Sequence, residues 1–127
     1  MSVSALAQWQ RTIIPLLSGR AVRAPDTANV TALAYFFWDD DRIDTLFYTI
    51  ASAFLVTRHL CGALPCLLVV NRSTPRIEAF CAENQIRIQV DPTLTGGVPR
   101  MNRDCMETLH TRFDTEYVLV IQSDGFP

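Results

Sequence analysis

The chain has 127 residues, 49% of them apolar and 19% charged, and its eleven cations against thirteen acids leave a net charge of −2. That balance excludes a disordered chain and gives no electrostatic drive toward nucleic acid or an anionic membrane. All eleven cations are arginine, which removes every chemistry that needs a side-chain amine, from Schiff bases to a phosphate-loop lysine.

The length suits one domain with a real core. Uncharged stretches such as 46–57 fall short of the about 20 residues a membrane span needs. The N-terminus lacks the basic segment and continuous apolar run of a secretory signal, so a soluble, cytoplasmic protein is expected. Cys61, Cys66, Cys81 and Cys105 have no metal-ligand spacing, and buried, reduced thiols are the expectation.

In chain order, residues 3–17 place Leu6, Trp9, Ile13 and Leu16 or Leu17 on one helical face, and Gly19 is a natural stop. With so few cations on its polar face, this amphipathic helix is expected to dock on the domain rather than on a membrane. A linker over 20–28 follows. Residues 1–28 thus precede the main body, 29–127.

The run Val30–Trp38 reads as a strand buried on both faces, and Asp39, Asp40 and Asp41 suit the start of the next helix. Apolar residues from Ile43 onward predict one long helix ending at Gly62, with His59 on its surface near the end. Cys66–Val70 is a second strand closed by Asn71. Thr74 and Pro75 open a helix that Asn84 ends. Ile86, Ile88 and Val90 alternate with Arg87 and Gln89 as in a half-buried strand. After a loop over 92–99, Met101, Cys105, Leu109 and Phe113 step by four along a third crossover helix. Arg112 is expected to pair with Asp114 or Glu116. Tyr117–Ile121 is the fourth strand.

Strands alternating with helices imply an α/β fold with a parallel sheet and right-handed crossovers. Such sheets bind ligands beyond the carboxyl ends of their strands, which selects Asp39–Asp41, Asn71–Arg72, Asp91 and Gln122–Asp124. No Gly-x-Gly-x-x-Gly follows the first strand, so the dinucleotide fingerprint is absent. A haloacid-dehalogenase-type phosphatase would read Asp39 as nucleophile and Asp41 as general acid, but a second acid pair is missing. Asp124 before Gly125 would hold a divalent cation such as Mg²⁺ or Mn²⁺ against a diphosphate, or is simply a turn.

The stretch Arg112-Phe113-Asp114-Thr115-Glu116-Tyr117, continuing through Gln122-Ser123-Asp124-Gly125-Phe126, resembles the hallmark of a family of unknown function. That family is itself similar to GT-A-fold nucleotide-sugar glycosyltransferases, and the resemblance covers roughly 29–127. It implies an open, Rossmann-like, mostly parallel four-stranded sheet of order 3-2-1-4. It also implies Trp38 and Asp39 near the base and ribose, Asn71 at the neighbouring strand end, and Gln122 on ribose or sugar. Asp124 would sit on a Mn or Mg ion. The acceptor pocket and general base of such enzymes follow this point in their chains, so a truncated half-domain without catalysis of its own is expected. A non-enzymatic remnant or interaction module is the alternative. Strand 117–121, lacking an outer neighbour, is expected to make the protein self-associate.

Overall fold

A computed structural model describes residues 3–20, 22, 24, 29–38, 40–95 and 98–122. Their elements run α1 (Val3–Leu17), β1 (Val30–Phe36), α2 (Arg42–Thr45), α3 (Phe47–Cys61), β2 (Cys66–Val70), α4 (Pro75–Glu83), β3 (Ile86–Val90), α5 (Val98–Glu107), a 3-10 turn (Leu109–Thr111) and β4 (Tyr117–Ile121). The four strands form one all-parallel sheet in the order β3-β2-β1-β4, as expected from the alternation of strand and helix.

Period-two alternation sorts the strand side chains onto two faces. Ala32, Ala34 and Phe36 of β1, with Cys66, Leu68 and Val70 of β2, meet Ile50, Phe54 and Ile77 from α3 and α4. Leu33, Tyr35, Leu67 and Val69 face the other way, onto Leu94, Met101, Cys105, Leu109 and Phe113. Both inner strands are therefore buried on both sides, which is why their sequences read as continuous apolar runs.

Several boundaries differ from the sequence reading, each for a local reason. β1 ends at Phe36 because the Trp38 backbone leaves the ladder: its N–H donates to Asn71 Oδ1 at 3.2 Å, and Asn71 Nδ2 donates to its carbonyl at 3.1 Å. The expected single helix from Ile43 is broken at Leu46, whose carbonyl accepts both the N–H and the hydroxyl of Thr49, at 3.1 and 2.7 Å. α5 starts at Val98, inside the expected loop, since Pro99 in a first turn has no intrahelical N–H to lose. It stops at Glu107 and tightens into the 3-10 turn.

α1 packs along α3. Of the expected face Leu6, Ile13 and Leu17 are half-buried, whereas Trp9 and Leu16 are 37% and 52% exposed and Gln10 is buried among them. Asn84 fixes the helix end: its Oδ1 accepts from Gly19 N at 2.9 Å, and its Nδ2 donates to Ser18 Oγ at 3.1 Å. Thr74 caps α4 as expected, accepting from Ile77 N at 3.3 Å while its hydroxyl donates to Asp44 at 2.6 Å. All four cysteines are free thiols, and burial pushes Cys66 up to about 11 and Cys81 up to about 12. No described helix is long and apolar enough to cross a membrane.

Candidate functional site

In this strand order, the chain turns outward from β1 to β2 and β3, then returns past β1 to β4. The carboxyl ends of β1 and β4 flank that reversal, where open parallel sheets form a crevice. Trp38 follows β1 and is tied by its backbone to Asn71 beyond β2, its ring edge-on to Phe36 with centroids 6.4 Å apart. The Arg42 guanidinium covers it at 4.7 Å from the ring centroid. Arg42 is held in turn by Asp40, whose Oδ1 and Oδ2 accept from its Nε at 3.0 and 3.1 Å.

These hydrogen bonds from Arg42 hold the Asp40 carboxyl below its ordinary range. Asp40 also accepts the Arg42 backbone N–H at 2.9 Å, so it does cap the helix start, whereas the Asp41 side chain makes no such bond. Asp41, the general acid of the phosphatase reading, is fully exposed and 3.4 Å from Arg72. Strand pairing and the two Asn71 hydrogen bonds thus bring Trp38, Asn71, Arg42 and Arg72 to one end of the sheet. Gln122 is exposed just beyond β4. Asp39 and Asp124 lie outside the described residues, as does the rest of 123–127. Among the described residues no three His, Cys, Asp or Glu side chains converge as a metal centre would need.

A second cluster lies behind this end, on the α5 face; the strand-end rule singles out its Asp91, but not Asp104 at its centre. Arg112 does not pair with Asp114 or Glu116. Its Nε and Nη2 grip Asp104 in a two-pronged pair, at 2.7 and 2.6 Å. Nη2 also reaches Asp91 at 3.2 Å, and Nη1 donates to Gln89. Tyr35 Oη donates to Asp104, and the Thr108 hydroxyl reaches it at 2.6 Å. Asp104 is 1% exposed and Arg112 9%.

Burial works against the charge on Asp104, but the hydrogen bonds from Arg112, Thr108 and Tyr35 outweigh it and hold this carboxyl well below the ordinary range. Burial and the bond to Asp104 push the Tyr35 phenol far upward, so it stays a donor. The Asp104 hydrogen bonds hold Arg112 firmly protonated. Every strong acceptor here is engaged by a donor, which makes the cluster an anchor for α5 and the following turn rather than a reactive site. One signal was available: Asp104, Thr108 and Arg112 step by four, forming a polar row beside the apolar row Met101, Cys105 and Leu109.

The motif that carried the family resemblance has a structural task at nearly every described position. Arg112 enters the anchor and Phe113 packs on the Leu33 face. The Thr115 hydroxyl lies 2.6 Å from that of Thr31, and Glu116 exchanges hydrogen bonds with the side chain of Asn29, both at 3.0 Å. Asn29 takes a positive φ of 64°, as asparagine tolerates, and its carbonyl accepts from Tyr117 N at 3.1 Å. The motif seats β4 beside β1. No protein-family model, no curated protein and no solved structure matches this chain.

Proposed function

We propose that the chain binds a nucleoside diphosphate, in the form of a nucleotide-sugar, across the carboxyl ends of β1, β2 and β4. The reading is that of the donor-binding part of a GT-A-like glycosyltransferase. The observation that carries it is the gathering of Trp38, Arg42 and Arg72 at the carboxyl ends of β1 and β2, β1 being one of the two strands at the reversal. An aromatic face suits a base, and two guanidinium groups suit a diphosphate. The ion pairs of both arginines are with exposed carboxylates and worth about 0–1 kcal/mol each, so a diphosphate would displace Asp40 and Asp41 at small cost, while a base on Trp38 would have to share that ring with Arg42. Asn71 would act by fixing the Trp38 backbone. By the resemblance, Gln122 would bond ribose or sugar, and Asp124 would hold a Mn²⁺ or Mg²⁺ that neutralises the diphosphate.

Titration with UDP-glucose and GDP-mannose, with and without Mn²⁺, followed by calorimetry and amide NMR, tests this. Saturable binding should shift the Trp38 indole resonance, and Arg72→Ala should weaken binding about tenfold, the loss of one charge-assisted contact. Asp124→Ala should remove the metal dependence without unfolding the chain. Absence of binding to either sugar nucleotide, or binding indifferent to all these changes, would dispose of the reading.

A further inference from the structure

Parallel pairing dictates which backbone groups of β4 are left over. Tyr117 N donates to Asn29 O, so Tyr117 faces β1. By alternation Leu119 and Ile121 also face β1, and the N–H and C=O groups of Val118 and Val120 point away from it. Among the described residues β4 has β1 as its one neighbour. Its sequence, YVLVI, has no charge, proline or glycine, and Tyr117 and Val120 remain 61% and 40% exposed. The opposite edge, β3, is different: it carries Arg87 and Gln89. A charge such as that of Arg87 blunts an edge against pairing.

We infer that β4 pairs antiparallel with β4 of a second copy about a two-fold axis at Leu119, continuing the sheet across two molecules. The sequence is nearly symmetric about that residue, which is what an isologous contact requires. In this register Val118 exchanges both backbone hydrogen bonds with Val120 of the partner subunit, and Val120 does so with Val118 of the partner subunit. All outward groups of the central three residues are then satisfied. Tyr117 covers Ile121 of the partner subunit, so the most exposed apolar side chain of the strand gains a neighbour. Glu116 falls opposite Gln122 of the partner subunit, so no like charges meet. A shift of one residue in either direction loses this match, because inward-facing and outward-facing backbone groups would then oppose each other.

Sedimentation velocity over a range from about 1 to 100 µM should show a monomer–dimer equilibrium. Val120→Pro removes an outward donor from an edge strand, where proline is tolerated, and should weaken dimerisation at least about tenfold while the circular dichroism is kept. Register is tested separately with Leu119→Cys. A non-hydrogen-bonded antiparallel pair brings Cα atoms to about 4.5 Å, within disulfide reach. Mild oxidation should therefore crosslink Leu119→Cys into a dimer faster than the parent protein. A monomer throughout the range, a dimer unaffected by Val120→Pro, or Leu119→Cys crosslinking no faster than the parent would each overturn the inference.

Discussion

At the scale of single residues, the most consequential side chain is Asp104. It is buried and accepts from Tyr35 on β1 and from Thr108 and Arg112 at the two ends of the 3-10 turn. Removing one partner of such a pair leaves the other charge without compensation in a poorly solvated place, which costs about 3–5 kcal/mol. Asp104→Asn should therefore lower stability by about 3 kcal/mol at pH 7, Asp91 keeping part of the Arg112 charge satisfied. The pH dependence follows from the depressed native pKa. Unfolded, the carboxyl titrates near its ordinary 3.8; folded, it holds its charge to lower pH. Its contribution is thus complete above the unfolded value and drains away as pH falls through the native one. Urea midpoints of parent and Asp104→Asn should be well apart at pH 7, begin to approach each other only below the unfolded value of 3.8, and still differ at pH 3. A gap that does not change with pH would show that the charge of Asp104 is not what stabilises the native state. This residue was illegible in the sequence because its partners are set by packing: Tyr35 lies 69 positions away, and Arg112 had acids closer at hand in Asp114 and Glu116. Trp38 and Asn71, by contrast, could be placed from sequence, since apolar runs announce where strands stop.

At the scale of elements, periodicity located all four strands and every crossover, and of the α1 face it placed Leu6, Ile13 and Leu17 correctly while misplacing Trp9 and Leu16. What the apolar stripe does not show is how the helix end is fixed. Asn84, 2% exposed, ties Ser18 and Gly19 to the end of α4 and bonds Phe80 O at 3.1 Å as well. Gly19 has φ of 71°, and a Cβ there would come within 2.7 Å of Glu83 Oε1. With its end fixed so tightly, α1 turns Gln10 toward the domain and leaves Trp9 and Leu16 half in water. Asn84→Ala would leave several of these polar groups unsatisfied, at about 1–3 kcal/mol. Amide exchange in α1 should quicken by one to two orders of magnitude, about what that free energy allows if α1 opens on its own, while the sheet keeps its protection. If α1 and the sheet lose protection together, the helix is not a separable unit and the hinge role of Asn84 is wrong.

At the scale of the whole molecule, the two faces of the sheet are held by different physics. On one face α3 has nine buried side chains, and α1 is stacked over it. On the other, Asp104 is the buried one among the described side chains of α5, and its apolar neighbours Met101 and Cys105 are only half-buried. The first face rests on apolar burial, which is non-directional and hardly depends on pH. The second combines a smaller apolar cluster around Leu33, Leu67, Val69 and Leu94 with one hydrogen-bonded charge cluster, which fails as a unit when a member is lost. Opening should therefore be unequal. Native-state hydrogen exchange should find the slowest amides in β1 and β2, which have strands on both sides and helices on both faces, with α3 close behind and α5 well ahead of them in rate. Asp104→Asn should widen that gap, releasing α5 and the 3-10 turn by a low-energy route that leaves β1 and α3 protected. Since β4 follows that turn and is seated through Thr115 and Glu116, its protection should fall only if the clamp to Thr31 and Asn29 is also broken. Uniform protection across α3 and α5, or uniform loss in Asp104→Asn, would mean that the two faces form a single cooperative unit and that the charge cluster holds no part of the fold on its own.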